Sequence, residues 1–156
     1  MPRRLWLLGA LCAAAPDLDV VAFSLGIPYD HLLGHRGLSH SLAFAALLGA
    51  LVARLALAPG LRVRGALYLF LTTASHGLLD TFTDGGLGVA LLAPFDATRW
   101  FAPFRPIRVS PIGVGAFFTR GAAVLANELA TVWLPCALLA AALLAMRTAL
   151  ARRARN

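Results

Sequence analysis

The chain has 156 residues, of which 60% are apolar and only 13% are charged, a balance that excludes an ordinary soluble globular domain. Its fourteen basic residues, all of them arginine, exceed the seven acids and give a formal net charge of +7. Because most of the arginines lie between or beside apolar runs, they favour membrane topology and lipid-headgroup contacts and argue against nucleic-acid binding. The length is that of one domain, and we predict a single membrane-embedded helical domain over residues 1–156.

The first apolar run has two interpretations. As a membrane span it extends from Leu5 to Leu25, which supplies the ~20 residues that a helix needs to cross a bilayer, and it contains Asp17 and Asp19. As a signal peptide, it would have a basic start and an apolar centre that ends at Ala15, where small residues precede a cleavage site. We predict the span.

Three further apolar runs predict spans over residues 42–61, 65–82 and 122–146. The second span ends at Pro59 and Gly60, which together punctuate a helix. Residues 83–121 are rich in Gly, Pro, Phe and Arg, a composition that suits a membrane interface. The fold class is therefore predicted to be all-α, an integral membrane protein with about four transmembrane helices in the inner (plasma) membrane.

The arginines also predict the topology of these spans. With four spans both termini lie on one side, and the termini and the turn with Arg62 and Arg64 are arginine-rich, so the positive-inside rule makes that side cytoplasmic. The acids and histidines then all lie towards the outer face: Asp17, Asp19, His35, His40, His76, Asp80 and Glu128. Ionisable groups in a bilayer are costly and by default mark function, so we predict a polar, metal-binding cup near the outer face.

Residues 34–41 gather two imidazoles, a guanidinium and two hydroxyls in an otherwise apolar chain. His35 and His40 are five residues apart and cannot share one helical face as an i, i+4 pair would. We therefore predict a turn that points both rings at a common centre just before a helix begins. The alternative is a loop whose histidines bond to backbone groups. Ser39 and Ser41 are also candidates to cap that helix.

Two more polar pairs lie within the apolar runs. His76 and Asp80 are four residues apart, so on a helix they share one face and can bind one ion. Asp17 and Asp19 diverge on a regular helix, so either the helix breaks there or only one carboxylate reaches the centre. Alternatively, Asp17 accepts the backbone N–H groups freed near Pro16 as an N-cap.

Carboxylates and imidazoles without thiolates suit a divalent ion such as Zn²⁺, Mn²⁺ or Fe²⁺, of which we favour Zn²⁺. The predicted metal ligands are Asp17, Asp19, His35, His40, His76 and Asp80. The thiols of Cys12 and Cys136 lie inside apolar runs and are predicted to be small core residues.

The predicted catalytic set consists of Arg36, His35 and Asp19. Arg36 is predicted to hold an anionic substrate in a bidentate contact. An equal alternative is an ion pair between Arg36 and one of three nearby acids: Asp17, Asp19 or Asp30. Supporting roles around the ligands are predicted for Asp84, Asp96, Asn127 and Glu128.

Three motifs together resemble the YdjM-like family of bacterial and archaeal inner-membrane proteins. They are Pro-Asp-Leu-Asp at 16–19, His-Arg-Gly-Leu-Ser-His-Ser at 35–41, and His-Gly-Leu-Leu-Asp at 76–80, followed by Thr83, Gly86 and Leu-Ala-Pro-Phe at 92–95. The middle motif is the specific one. The resemblance implies a small helical membrane protein that uses these acids and histidines as metal ligands, with hydrolase activity inferred from motif composition. Val20 stands directly after Asp19, where family members often have a histidine.

The leading functional interpretation is a multi-pass, metal-dependent hydrolase of the inner membrane. Its expected partners are membrane lipid and a small or lipid-like substrate, such as a phosphoester or ester, because lipid reaches a site in the outer leaflet laterally; the oligomeric state is left open. A transporter or ion-conducting protein is the first alternative, and it predicts polar groups across the whole membrane thickness. The second is a non-catalytic membrane adaptor whose polar cluster holds helices together.

Overall fold

The structure is a computed structural model that describes residues 3–153, with the backbone alone at residues 114 and 117. Contacts divide the chain into two compact units, Met1–Arg105 and Pro106–Asn156, and each is described by itself. Within the described residues all regular elements are helices, so the all-α class is confirmed. The single domain over residues 1–156 stays a prediction, and its ends at residues 1–2 and 154–156 lie outside the described part.

The first unit begins with a helical run that changes from α-helical to 3-10 geometry and back. Helix α1 (Arg3–Ala14) continues as a 3-10 segment (Ala15–Val20) and then as the short α2 (Val21–Ser24). Pro16 stands in the first turn of the 3-10 segment, where a helix has no use for its missing N–H. The 3-10 coil has about three residues per turn, and this alters the directions of the side chains that follow Pro16.

A helical hairpin forms the centre of this unit. A 3-10 turn (Leu38–His40) leads into α3 (Leu42–Ala56), and a second 3-10 turn (Pro59–Leu61) leads into α4 (Arg62–Thr81). Ser41 caps α3, because its hydroxyl accepts the N–H of Phe44 at 3.1 Å. Helix α3 ends before Pro59 because the residue preceding a proline is driven to an extended conformation.

Small residues bring α3 and α4 close together. Ala45, Gly49 and Ala53 recur every four residues and are buried on one face of α3. A Cβ atom on Gly49 would lie 2.8 Å from the backbone nitrogen of Phe70, so glycine permits this helix approach. Helix α1 completes the core of the unit, which contains Leu5, Cys12, Ala53, Leu57 and Leu69.

After α4, residues 82–105 return over the segment that precedes α3. Three backbone bonds fix this path: Ala90 N–H to Arg36 C=O at 3.0 Å, Leu42 N–H to Leu91 C=O at 3.0 Å, and Ala102 N–H to Thr81 C=O at 2.8 Å. An antiparallel bridge joins Val89 and Trp100. The returning segment therefore holds residues 36–42 against the end of α4.

The second unit is built on α5 (Val114–Glu128), a π turn (Leu129–Trp133) and α6 (Leu134–Arg153). The π turn precedes Pro135, whose ring disturbs the helical hydrogen bonds of the turn before it. Cys136 is exposed on α6, so its predicted core position is wrong, whereas Cys12 is buried as predicted. The two cysteines differ because α1 packs into a core and the residue on α6 does not.

Two helices of the described residues are long and apolar enough to cross a membrane, Arg3–Ser24 and Phe118–Arg153, rather than the four predicted. Helix α3 has 15 residues, about 22 Å of rise, which falls short of a ~30 Å hydrocarbon core. Helix α4 is longer but carries Arg62, Arg64 and Asp80. These charges, with several hydroxyl residues, lower its hydropathy.

Candidate metal centre

Four side chains of the first unit converge on one point, and we call their innermost atoms the four-atom centre: Asp17 Oδ1, His40 Nε2, His76 Nε2 and Asp80 Oδ2. His40 Nε2 lies 3.6 Å from Asp17 Oδ1 and 3.4 Å from Asp80 Oδ2. His76 Nε2 lies 3.4 Å and 3.9 Å from the same two oxygens. The structure thus brings together residues from three separate hydrophobic stretches of the sequence.

The four imidazole–carboxylate separations, 3.4–3.9 Å, are close to those of a metal site. Ligand atoms within 4.8 Å of one another form two groups that share His40: one with Asp17 and His35, the other with His76 and Asp80. A tetrahedral Zn²⁺ site with metal–ligand distances of about 2.0–2.2 Å has ligand atoms about 3.3–3.6 Å apart. The Nε2 atoms of His40 and His76 are buried and have no hydrogen-bond partner within the described part of the chain. An unpaired buried nitrogen is costly, and a metal ion would use both lone pairs.

The local charge also fits a divalent ion. Asp17, Asp19 and Asp80 carry three negative charges, and Arg36 supplies one positive charge beside Asp80. The remaining charge of minus two would be balanced by one divalent cation. A protonated imidazole can serve instead: burial lowers the pKa of His40, but the three nearby carboxylates outweigh burial and raise the pKa to about 10.

The backbone explains why the two histidines meet. His40 ends the 3-10 turn directly before the α3 cap, and its side chain is completely buried. His76 and Asp80 lie one turn apart on one face of α4, as their spacing predicts. Gly77 sits beside His76, and a Cβ atom there would lie well under 3.0 Å from the backbone oxygen of His40. Glycine at this position therefore permits α4 to approach the 3-10 turn Leu38–His40, which we call the histidine turn.

The 3-10 segment resolves how Asp17 and Asp19 share the site. The Asp17 carboxylate faces the Nε2 atoms and has a 58% exposed side chain. The Asp19 carboxylate is 8% exposed and lies 3.2 Å from Nδ1 of His40, the opposite edge of the same ring. Both carboxylates therefore reach the cluster from different sides, and neither acts as the N-cap, a position that Ala14 occupies.

Asp19 is surrounded by hydrogen-bond donors. Its Oδ1 lies 2.6 Å from Nδ1 of His35, and its Oδ2 accepts the N–H of Arg36 at 3.2 Å. The hydroxyl of Ser39 also bonds to Oδ2 and lies 3.0 Å from Nδ1 of His40. Ser39 therefore serves the site, whereas the capping role predicted for either serine belongs to Ser41.

His35 packs beside the four-atom centre. One of its ring nitrogens lies within 4.8 Å of ligand atoms of Asp17 and His40. Its ring makes edge contacts with Tyr29 and with His40, each with centroids 5.3 Å apart. All six predicted ligands are thus brought to one place, and their roles as ligands stay predictions.

Arg36 is buried and engaged within the fold. Its Nε lies 2.9 Å from Asp80 Oδ2, and its Nη1 donates to Thr83 Oγ1 and to the Gly85 carbonyl, each at 2.9 Å. The acid that pairs with Arg36 is therefore Asp80, not one of the three acids named from the sequence. The backbone of Arg36 adopts φ 61°, a left-handed conformation that is uncommon for a residue other than glycine. Two hydrogen bonds stabilise this backbone conformation: the Arg36 N–H donates to Asp19, and the Arg36 carbonyl accepts the N–H of Ala90.

Arg99 supports the site in a way that the sequence did not reveal. Its Nη1 donates to the carbonyls of His35 at 3.1 Å and Gly88 at 3.3 Å. Its Nη2 donates to the carbonyls of Tyr29 at 2.9 Å and His31 at 3.2 Å. A guanidinium that binds four backbone carbonyls leaves no sequence signature, because carbonyls are present at every residue.

Two of the four predicted supporting residues, Asp96 and Asn127, have hydrogen-bond partners that are not among the six predicted ligands. Asp96 accepts the N–H of nearby Thr98 at 2.7 Å. Asn127, in the second unit, accepts the N–H of Arg108 at 2.7 Å and donates to the carbonyl of Pro106 at 3.1 Å. The supporting roles of Asp84 and Glu128 stay predictions. An apolar cavity of about 500 Å³ lies between α3, α4 and residues 91–96, and its lining includes none of the six predicted ligands.

The regular elements of the described residues are helices, and two of these helices are long and apolar enough to cross a membrane. The same residues contain a cluster of histidines and aspartates that could hold a metal ion. These features define a class of helical membrane protein with a candidate metal site. The chain belongs to the YdjM inner membrane protein family, whose model matches residues 2–153. It is 41% identical over 143 residues to the inner membrane protein YbcI of Escherichia coli K12, covering 89% of this chain and 82% of that protein. No solved structure matches the chain. The predicted family and inner-membrane nature are confirmed.

Proposed function

We propose that the protein is a metal-dependent hydrolase of the inner membrane that acts on a lipid-like ester or phosphoester. The observation that carries the proposal is the four-atom centre, in which two unpartnered imidazole nitrogens face two carboxylate oxygens at 3.4–3.9 Å. Asp17, His40, His76 and Asp80 would hold the ion. A divalent ion bound there would acidify a water molecule and polarise a carbonyl or phosphoryl oxygen.

The chain's own residues have distinct tasks in this proposal. The exposed Asp17 side leaves a path by which water and substrate approach the centre. The Nδ1–H of His35 donates to Asp19, which leaves the ring's lone pair on Nε2, and Nε2 is the atom that we propose takes a proton from water. Arg36 is assigned to hold Asp80 rather than the substrate, because its Nε and Nη1 are already engaged.

The surroundings of the centre support a lipid-like substrate. Leu18 and Val21 follow Asp17 on the first helical run and are 73% and 60% exposed. Leu78 and Leu79 precede Asp80 on α4 and are 45% and 42% exposed. Large apolar side chains beside a polar centre are costly in water and favourable in lipid, so the substrate is proposed to arrive from the membrane.

Exposed leucines also support a multi-pass arrangement that includes α3 and α4. Leu47, Leu51 and Leu55 form a stripe on α3 and are 72%, 55% and 75% exposed. Leu67 and Leu71 continue the pattern on α4 at 58% and 56%. Two helices with small residues between them and leucines outside have the packing of a membrane helix pair. Helix α3 is short, but a short helix is accommodated when the bilayer thins around it.

The test is elemental analysis of the detergent-purified protein beside His40→Ala and Asp80→Ala, with Asp30→Ala as a matched control because Asp30 is exposed and outside the cluster. We expect about one divalent ion per chain in the parent and the control, and its loss in both site variants with an unchanged elution profile. Hydrolysis of a chromogenic phosphoester and a chromogenic ester in mixed micelles should follow the metal content.

Other results would favour the alternatives. A parent protein without stoichiometric metal would remove the basis of the proposal. If metal is present but hydrolysis is absent, and metal-loaded liposomes show ion flux that the His40→Ala variant loses, the transporter is favoured. Lower yield of His40→Ala with no metal-dependent activity in any variant would indicate the adaptor.

A further inference from the structure

We infer that Asp19 is not a ligand of the metal but a positioning residue, which directs the metal-binding nitrogen of His40 towards the four-atom centre. The inference rests on the metal site of the proposed function and changes the ligand set predicted from the sequence. Asp17 and Asp19 look equivalent in the motif at residues 16–19. In the structure, however, Asp17 lies beside Nε2 of His40 and Asp19 beside Nδ1.

The Asp19 carboxylate is already surrounded by polar groups of the protein. Its Oδ2 is approached by the Ser39 hydroxyl, the Arg36 N–H and Nδ1 of His40, and its Oδ1 by Nδ1 of His35. Each carboxylate oxygen has about two lone-pair directions. Three donors exhaust Oδ2, and binding a metal there would leave buried donors unpaired, which is costly.

Asp19 also lies on the far side of the His40 ring from the four-atom centre. Among the described residues, two groups of ligand atoms lie within 4.8 Å of one another; Asp17 belongs to one and Asp80 to the other, and Asp19 to neither. The Asp19 side chain is 8% exposed and faces Nδ1 of His40, while the four-atom centre lies at Nε2. The imidazole ring therefore stands between Asp19 and the ion.

The contact with Asp19 also determines which nitrogen of His40 keeps its hydrogen. A carboxylate at Nδ1 accepts only a proton on that nitrogen, so Nδ1 keeps its hydrogen and Nε2 is the nitrogen that gives up its proton to bind the ion. Ser39 reinforces this choice, because its hydroxyl donates to Asp19 and its oxygen lies 3.0 Å from the same Nδ1. Carboxylates that hold a metal-bound histidine in this way raise metal affinity without touching the ion.

The test compares Asp19→Asn with Asp17→Asn by titrating the metal-free, detergent-purified protein with Co²⁺, whose visible spectrum reports its ligand set. The asparagine amide at position 19 favours the wrong tautomer of His40. We expect Asp19→Asn to bind one Co²⁺ with the parent's spectrum but with affinity about 10–100-fold weaker. Asp17→Asn, which alters a ligand, should change the spectrum itself. Asp30→Asn is the matched control and should match the parent in both.

Two results would overturn the inference. If Asp19→Asn changes the Co²⁺ spectrum as Asp17→Asn does, Asp19 is a ligand. If it lowers thermal stability but leaves the Co²⁺ affinity unchanged, its role is only structural. Should Asp19→Asn fail to fold, Ser39→Ala replaces it: the expected result is weaker Co²⁺ binding with an unchanged spectrum, and unchanged affinity contradicts the inference. A parent that binds no Co²⁺ or Zn²⁺ would instead refute the proposed function.

Discussion

Substituting Gly77 by alanine tests the closest approach on which the candidate centre depends. A methyl group at this position on α4 would lie well under 3.0 Å from the backbone oxygen of His40, and ordinary contact begins near 3.4 Å. Roughly 1 Å of movement is therefore required between α4 and the histidine turn. The obstacle is backbone, so no rotation of a flexible side chain relieves the contact.

Two opposing effects set the magnitude of this change. Alanine in a helix interior is favoured over glycine by about 0.8–1 kcal/mol. Overpacking of a close contact costs about 1–3 kcal/mol, so the net effect is predicted to be a loss of up to about 2 kcal/mol. For a chain of this size, each 1 kcal/mol lowers the melting temperature by about 2–4 °C. Separation of His40 from His76 should also weaken Zn²⁺ binding at least about tenfold.

The assay is thermal unfolding in detergent together with Zn²⁺ titration of the metal-free protein. Gly115→Ala is the matched control, because Gly115 also lies in a helix and a Cβ atom there meets nothing within 4 Å. The control should be neutral or slightly stabilising. If Gly77→Ala behaves like the control in both melting temperature and Zn²⁺ affinity, the close packing of α4 against the histidine turn is wrong.

Four further predictions concern Arg36, Arg99 and His40. Arg36→Leu leaves the partly buried Asp80 without its cation and should cost about 3 kcal/mol, the lower end for a buried pair, seen as a lower melting temperature. An unchanged melting temperature would contradict the ion pair. Arg99→Ala removes the donor to four loop carbonyls and should speed proteolysis within residues 28–35, while Arg105→Ala should not. Because the pKa of His40 is raised to about 10, Zn²⁺ must displace a proton from His40 at neutral pH. Calorimetry in buffers of different ionisation enthalpy should show about one proton released per ion. Binding without proton release would refute this prediction. The raised pKa also means that protonated His40 stabilises the metal-free fold. This stabilisation should be fully present below about pH 6.5, the ordinary pKa of histidine, and should be lost as the pH rises towards 10. Melting temperatures of the metal-free protein across that range would measure the loss.

The membrane class and the helical fold follow from local properties of the sequence. Long apolar runs predict helices, and the i, i+4 spacing of His76 and Asp80 correctly places both on one face of α4. The number of spans was not predicted correctly: the sequence predicts four, and two helices of the described residues are long and apolar enough to span a membrane. Span prediction counts apolar residues, whereas helix α3 ends early because Pro59 fixes the backbone before it.

The roles within the site depend on the three-dimensional arrangement. Asp17 and Asp19 have the same side chain and lie two residues apart, but a 3-10 coil turns one towards Nε2 of His40 and the other towards Nδ1. The partner of Arg36 was predicted among acids close in sequence, and the structure supplies Asp80 from α4 instead. Long-range ion pairs of this kind depend on how helices pack, which residue spacing does not encode.

By itself the sequence determined that this is a helical inner-membrane protein of the YdjM family with a cluster of acids and histidines, because composition, periodicity and motif order are properties of the chain alone. Tertiary structure decided which nitrogen of His40 faces the four-atom centre, which acid pairs with Arg36, and that Arg99 holds the loop around His35. The physical reason is that hydrogen bonds and metal coordination act over about 2–3 Å. Only the packing of helices distant in the sequence positions atoms that closely.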